Sequence, residues 1–254
     1  MIAPRASLDV RSIGAEGPLH LSFVAGSSKR LVVSFAGVGT QRAVVPPPEF
    51  AVLAHWNGEN NVIFVSDLSR CWMNHDGMIE FVVDAVSAVA DQIGAEEICA
   101  VGNSMGGTAA MILASKMDID TVVAITPQYS MHPDEVPEET RWTFFRDKIT
   151  DWPHRTVPDL RESGSQVTII HGGTLDELVH ADRFPMDAGY RHYIFPEYGH
   201  KVARGLHDAG HLAPIVTLGI LGRDLRVRRS VRAAGGMSRS RFEQVRETLS
   251  LRRH

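Results

Sequence analysis

Cysteine and long apolar segments are both scarce in this chain. Its two cysteines are Cys71, in a polar stretch, and Cys99, in the apolar run 98–101. Two cysteines do not make the disulfide framework of a small secreted domain, and no Cys/His cluster has metal-site spacing, so no disulfide, metal or other cofactor is expected. The longest late apolar run, residues 212–221, is about half of what spans a bilayer, which argues against a membrane partner.

An apolar leader and an excess of basic charge are also missing. Residues 1–5 lack the apolar stretch of a signal peptide, so a cytoplasmic protein is expected. The net charge of −4 does not favour nucleic acid as a partner. Residues 223–254, however, hold ten Arg and three acidic residues, which gives them +7 and leaves −11 on residues 1–222. The sequence therefore predicts one domain over 1–222 and a basic, Arg-rich C-terminal tail over 223–254.

Strand and helix patterns alternate between these limits. Strands are predicted over residues 19–24, 30–35, 61–65, 97–101, 121–125, 167–171 and 192–195, and the first two are expected to form a hairpin. Helices are predicted over 78–93, 104–117, 176–184 and 201–221, the last with a break at Pro214. Residues 50–56 fit either a short helix or a strand. Such alternation is typical of an α/β protein with a mainly parallel sheet covered by helices on both faces.

A Gly-x-Ser-x-Gly pattern stands between a predicted strand and a predicted helix. It reads Gly102-Asn103-Ser104-Met105-Gly106. This motif holds a serine on a sharp strand-to-helix turn, where glycines remove side chains that would collide. Ser104 is therefore predicted to be a nucleophile that needs a base to take its proton. The alternative is an ordinary glycine-rich turn between a strand and a helix.

The base is expected late in the chain, at the carboxyl end of a strand. His200 follows the strand predicted over 192–195 and begins the last helical region. Ligands of parallel sheets bind at this edge, so His200 is predicted to be the base. Other histidines fall within predicted helices and are expected to be surface or packing residues: His180, His207 and His211.

The remaining parts of a serine-hydrolase site have weaker signals. Asp176 follows a strand and its turn and is predicted to orient the histidine, with Glu177 as its immediate rival. The developing oxyanion needs fixed N–H donors, which are predicted to be the amides of Met105 and Val38. Gly37 lets the backbone beside Val38 come close to a substrate.

Residues 127–166 interrupt the alternation and are too long for an ordinary connection. They are predicted to form a cap over the site, in which Trp142 and Phe145 line the substrate pocket. Arg141 either holds an anionic group of the substrate or lies at the surface. The alternative for the whole segment is a surface excursion with a small core of its own.

The order Ser104, Asp176, His200 resembles that of the α/β-hydrolase superfamily, in which nucleophile, acid and histidine follow one another along the chain. The turn Ala36-Gly37-Val38 is similar to the oxyanion turn of that family, with Ala36 where a histidine often stands. The resemblance covers about residues 19–221. It implies the α/β-hydrolase fold and the chemistry of a serine hydrolase.

A narrower resemblance rests on three short segments, 102–107, 127–130 and 199–204. These are similar to hydrolase-like proteins associated with bacterial surface polysaccharides, some of which look like acyl-transfer enzymes. Gln128, in the second segment, is assigned to the substrate site on this basis. The resemblance implies a small-molecule or glycan acyl substrate.

The Arg-rich tail contains Ala233-Ala234-Gly235-Gly236, which is predicted to be a hinge, and residues 242–251, which fit a short helix. Three interpretations stay open: a solvated tail, a docking segment for a sister subunit or an acidic partner, and a nucleic-acid contact. The last has little support, because aromatic residues are scarce there.

Three functions follow from these patterns. The first is a serine esterase, in which Ser104 forms an acyl-enzyme that water releases. The second is an acyltransferase, in which a sugar or another alcohol takes the place of water. The third is a binding protein that keeps the fold without turnover.

Overall fold

A nine-stranded sheet organises the part of the chain that the structure, a computed structural model, describes: residues 8–186 and 189–251. The strands are β1 (Arg11–Glu16), β2 (Leu19–Val24), β3 (Arg30–Phe35), β4 (Asn61–Asp67), β5 (Glu97–Asn103), β6 (Thr121–Ile125), β7 (Gln166–Gly172), β8 (Tyr190–Phe195) and β9 (Met237–Ser238). Their order is β1-β2-β4-β3-β5-β6-β7-β8-β9. Strands β3 to β8 are parallel, and the pairs β1·β2, β2·β4 and β8·β9 are antiparallel.

Helices cover both faces of this sheet. They are α1 (Ala51–His55), α2 (Met78–Ile93), α3 (Met105–Ala114), α4 (Thr143–Arg146), α5 (Leu175–Ala181), α6 (Val202–Asp208), α7 (Leu212–Ile220), α8 (Asp224–Ala233) and α9 (Arg239–Leu251). Helices α2 and α3 pack in the apolar cluster on one face, and α1, α6, α7 and α8 in the cluster on the other. The predicted fold class is confirmed.

The central strands are apolar along their length because both of their faces are buried. In β3, Val33 belongs to the cluster with α2 and α3, whereas its neighbour Val32 belongs to the opposite cluster. Both are fully buried. Because β3, β5, β7 and β8 run parallel, their carboxyl ends lie along one edge of the sheet, where the candidate site lies.

The predicted hairpin of residues 19–24 and 30–35 is wrong. Strand β2 pairs with β4, and β3 lies on the far side of β4. The Asn61 side chain holds the connection, since it accepts the Gly26 N–H and donates to the Ser28 carbonyl at 3.0 and 2.7 Å. This crossover leaves β3 as a central strand between β4 and β5.

The predicted break at Pro214 is also misplaced. The chain leaves its helical course at residues 209–211, where Gly210 takes a φ of +76° that favours glycine. Pro214 lies in the first turn of α7, where the missing N–H of a proline would have no intrahelical partner.

Residues 127–166 pack against the main core. Met131, Phe145, Val157 and Leu160 belong to the same apolar cluster as α2 and α3. The segment therefore shares the core of the domain, and a separate small core, the alternative interpretation, is not what the structure shows.

Residues 223–251 do not form a separate tail. Helix α8 buries Val227 and Val231 in the core cluster of α7, and β9 joins the sheet beside β8. Arg239 is buried and donates to the carbonyls of Phe184 and Asp182 at 2.6 and 3.0 Å. The expected hinge at residues 233–236 is the short turn between α8 and β9. The tail prediction was wrong because the many Arg residues of the segment indicate an exposed surface, whereas two of its valines, Val227 and Val231, are buried at helical spacing.

The outermost described strand at the other edge, β1, has no counterpart among the predicted strands. Its side chains are mostly exposed, so it lacks the apolar alternation that marks a half-buried strand. Its pairing with β2 contains a register shift between Ser12 and Gly14.

None of the described helices is both long and apolar enough to cross a membrane.

Candidate active site

Ser104 lies on a strained turn between β5 and α3. Its φ of 57° and ψ of −125° are unusual for a residue with a side chain, and such strain is concentrated at functional sites. The turn requires its glycines: a Cβ on Gly102 would lie 2.1 Å from the Gly106 carbonyl oxygen, and one on Gly106 would lie 2.3 Å from the Phe35 carbonyl oxygen. The structure thus has the predicted strand-turn-helix context.

His200 reaches Ser104 from the loop between β8 and α6. Its Nε2 lies 3.0 Å from Ser104 Oγ, and its Nδ1 lies 2.8 Å from Glu177 Oε1. A carboxylate only accepts, so Nδ1 carries the proton, and in the neutral ring Nε2 is left to accept the serine O–H. The three side chains therefore form one continuous line of hydrogen bonds. Ser104 itself is only 4% exposed.

The carboxylate on His200 is that of Glu177, so the prediction that Asp176 orients the histidine is wrong. Both residues lie in the first turn of α5, behind Thr174. Neighbouring side chains on a helix point in different directions, and here Glu177 turns inward with 1% exposure. The side chain of Asp176 is 52% exposed and accepts hydrogen bonds from Thr174 and Arg141.

The hydrogen-bond donors of Arg141 are used by carboxylates of the protein. Its guanidinium donates to Glu139, Asp176 and Glu177, with the Glu177 contact at 2.8 Å. The main-chain oxygen of Asp176 takes a further N–H at 3.0 Å. The predicted role as holder of an anionic substrate group is therefore wrong, because the donors are already engaged.

This network keeps Glu177 ionised in a buried place. Burial alone would raise the pKa of Glu177, but hydrogen bonds from His200 and Arg141 and the nearby His171 hold it below its ordinary value. Burial likewise opposes ionisation of Glu139, yet hydrogen bonds from His180 and Arg141 lower its pKa to about 2. Both acids are thus carboxylates over the ordinary range of pH.

Gln128 contacts Ser104 directly. Its Nε2 donates to Ser104 Oγ at 2.9 Å, while its Oε1 accepts from Trp72 Nε1 at 3.0 Å. An indole nitrogen only donates, so the Trp72 contact fixes which end of the amide faces the serine. The sequence predicts Gln128 at the substrate site, and in the structure its side-chain amide contacts Ser104.

The turn after β3 lies against the elbow, as an oxyanion turn requires. A Cβ on Gly37 would lie 3.0 Å from the Asn103 carbonyl oxygen. Within the described chain, neither the Val38 nor the Met105 amide has a hydrogen-bond partner. Free N–H groups are what a developing oxyanion needs, so both amides remain predicted donors.

Glu49 holds the far side of this turn. A Cβ on Gly37 would lie 3.2 Å from Glu49 Oε1, and burial raises the pKa of Glu49 to about 7 although the Gly37 backbone N–H opposes the shift. The contribution of Gly37 to the site is therefore the close approach of its backbone to Asn103 and Glu49.

Trp142 and Phe145 differ in their relation to the site. The Trp142 ring lies 5.7 Å from the His200 ring, and with Val38 and Phe145 it lines a cavity of about 280 Å³. Phe145 is 7% exposed and belongs to the main core, with the Arg70 guanidinium 5.4 Å from its ring. Trp142 is thus placed as a pocket wall, whereas Phe145 mainly supports that wall from the core.

Several site residues carried no sequence signal. Trp72, Glu139 and His180 come from three distant segments and meet the site only in the folded chain. No local motif surrounds them, and the alternation of apolar and polar residues does not indicate such contacts.

Among residues 8–186 and 189–251, no group of three or more His, Cys, Asp or Glu is arranged to hold a metal ion.

Comparisons with known proteins bear on the fold. No family model matches the chain, and no curated protein matches it in sequence. Solved structures do match. Est1E from Butyrivibrio proteoclasticus has a TM-score of 0.55 and 13% identity, over 86% of this chain and 100% of that chain. A capsule O-acetyltransferase of Neisseria meningitidis serogroup A has a TM-score of 0.55 and 10% identity, over 84% and 97%. Mycobacterium tuberculosis MPT51 has a TM-score of 0.56 and 11% identity, over 84% and 100%. Identities this low establish a shared fold and nothing finer.

Proposed function

We propose that this chain, which has the fold of the α/β-hydrolase superfamily, is a serine hydrolase that cleaves an ester-type acyl bond through an acyl-enzyme on Ser104. One observation carries the proposal: Ser104, His200 and Glu177 form an unbroken line of hydrogen bonds at the carboxyl edge of the sheet. Fold alone does not fix a function, but this arrangement is what activates a serine.

In the first step, Ser104 Oγ attacks the ester carbonyl carbon while its proton passes to His200 Nε2. Glu177 stabilises the imidazolium that forms, since it accepts the hydrogen bond from Nδ1. The electron pair of the carbonyl moves to its oxygen, to which the Val38 and Met105 amides are predicted to donate. Collapse of this intermediate breaks the bond to the leaving alcohol, which takes the proton from His200.

In the second step, water attacks the acyl-enzyme and gives its proton to His200. The intermediate then collapses to the free acid, and Ser104 regains its proton. Gln128 keeps the serine oxygen oriented between steps, because Trp72 prevents its amide from turning over. The pocket walls, with Trp142 beside His200, favour a small ester that fits the cavity of about 280 Å³.

The decisive assay compares wild type with Ser104→Ala on a short-chain aryl ester. We expect kcat/KM to fall by about 10⁴-fold or more in the variant, since the nucleophile is lost. A fluorophosphonate probe should label wild type and leave Ser104→Ala unlabelled. Equal turnover in both proteins would refute the proposal, and folded wild type that the probe does not label would favour a binding protein without turnover.

Acyl transfer is a second candidate, favoured by the burial of the nucleophile. Ser104 is 4% exposed and Trp142 lies beside His200, so the site restricts water, the competing acceptor. One protein of similar fold is a capsule O-acetyltransferase. Product analysis with added glycan or simple alcohol acceptors separates the two candidates: transfer predicts acylated acceptor, whereas hydrolysis unaffected by every acceptor argues for the esterase.

A further inference from the structure

The cavity beside the oxyanion turn carries positive charge with no acid in its lining. Val38 and Trp142 line its inner part, and Arg42 and Phe144 line its outer part. A second cavity of about 280 Å³ adjoins it, shares Arg42, Phe144 and Phe145 with it, and adds Lys148. Neither cavity has an Asp or Glu among its lining residues.

Two cations are held at this place without a carboxylate. Arg42 Cζ lies 4.2 Å and Lys148 Nζ 3.9 Å from the centroid of the Phe144 ring. Neither side chain forms a hydrogen bond or an ion pair with the described residues. A ring face attracts a cation, so Phe144 positions both charges while leaving their N–H groups to a ligand.

Arg42 and Lys148 differ from Arg141, whose charge is neutralised by carboxylates. Arg141 also lies at the site, but Glu139, Asp176 and Glu177 neutralise it. Arg42 follows the predicted oxyanion donor Val38 by four residues and shares a cavity with it. A ligand in this cavity can therefore contact Arg42 while it also reaches Val38.

We propose that this site prefers esters whose acyl or alcohol portion carries a negative charge, which Arg42 binds at the outer end of the cavity. The inference rests on the proposed function, because it concerns the substrate class of the same site. Arg42 is the specificity-determining residue, since a planar guanidinium can bind a carboxylate or a phosphate with two parallel hydrogen bonds.

Matched ester pairs test the proposal. On the acyl side, 4-nitrophenyl hemiglutarate is compared with 4-nitrophenyl valerate, which has the same chain length without the charge. On the alcohol side, 3-acetoxybenzoate is compared with 3-acetoxybenzamide. For at least one pair, wild type should show kcat/KM about tenfold or more higher for the anionic ester, mostly through KM, as expected for a charge-assisted contact. The pair that shows the preference identifies which portion carries the charge.

Variants locate the effect. Arg42→Ala should reduce the anionic preference to about one, through a fall in kcat/KM on the anionic ester, since the charged contact is lost. Arg42→Lys should keep part of it. Arg229→Ala, the control, removes an equal charge from the exposed side of α8 and should leave the ratio unchanged. Added salt should weaken the preference.

The outcomes are distinguishable. Neutral esters turned over with no anionic preference in wild type, or a preference equal in wild type and Arg42→Ala, would overturn this inference and leave the proposed function standing. Absence of turnover on all four esters, together with absent fluorophosphonate labelling, would remove the proposed function and this inference with it.

Discussion

Glu177 and Asp176 are adjacent in sequence, and only Glu177 reaches His200. Replacement of Glu177 by Gln keeps the shape of the side chain but removes the charge that stabilises the imidazolium, so kcat should fall by about 10²–10⁴-fold. Asp176→Asn is the matched control, and since that side chain is 52% exposed, its kcat should stay within about threefold of wild type. Kinetics on one aryl ester decide between them, and a larger loss in Asp176→Asn would contradict the assignment.

Glu49 makes the stability of the protein depend on pH. Its pKa is raised from 4.5 to about 7, so the folded state holds a proton that the unfolded state releases between these values. Stability contributed by this group is therefore full at low pH and is lost as pH rises through about 7. Glu49→Gln should differ little from wild type near pH 4.5 and be more stable by up to about 3 kcal/mol at pH 8.

Denaturant unfolding at several pH values measures this difference. Glu16→Gln, at an exposed position of β1, is the control and should change stability by less than about 0.5 kcal/mol at every pH. A Glu49→Gln effect that does not grow with pH would show that the carboxyl is not held protonated.

The sequence located the serine and the histidine because each has a local signature. Ser104 needs glycines on both sides within a strand-to-helix turn, and His200 lies in the loop after the last strand of the parallel series. The choice between Asp176 and Glu177 depends on which side of α5 faces the loop of His200, a non-local fact. The sequence indicates Arg141 as a possible substrate contact because its partner Glu139 becomes a neighbour of the site only in the folded chain.

At the scale of elements, residues 127–166 are expected to contribute one pocket wall and one support. Trp142→Ala removes a wall beside His200 and should change the relative kcat/KM of esters of different acyl length by roughly tenfold, without loss of the fold. The measurement is kcat/KM across a series of acyl lengths. Unchanged ratios would place Trp142 outside the pocket.

Phe145 should respond differently to the same change. It is 7% exposed within the main core, so Phe145→Ala leaves a cavity and should lower the free energy of unfolding by about 3–5 kcal/mol. Denaturant unfolding followed by circular dichroism measures this. A variant as stable as wild type but altered in ester preference would show that Phe145 is a wall and not a support.

Element order was predicted better than element pairing. Hydrophobic runs revealed most of the strands, because a buried strand is apolar along its length. The false hairpin arose because sequence proximity of β2 and β3 does not determine pairing, and β4, about 40 residues later, takes the place beside β2. Strand β1 was missed because its exposed side chains carry no pattern.

For the whole molecule, residues 223–251 complete the domain. A chain ending at Gly222 loses Val227 and Val231 from the core and leaves β8 without β9. We expect this shortened chain to be insoluble or to unfold well below the wild-type Tm, since exposed strand edges and apolar patches promote association. Soluble expression and thermal melting test this.

A matched variant separates packing from charge. Arg226→Ala with Arg229→Ala removes two exposed positive charges from α8 and keeps both valines. It should melt within a few degrees of wild type, as surface changes usually do. Similar damage from both changes would mean that charge, rather than packing, makes this segment necessary.

The register shift in β1 bears on how the protein behaves in concentrated solution. A sheet can lengthen across molecules wherever its last strand offers a regular row of amide and carbonyl groups to another chain. Between Ser12 and Gly14 that row is irregular, and Arg11 and Glu16 place charges near its ends. A second copy docking there would have to match a bent strand and accommodate both charges, so fibre-like growth from this side is disfavoured.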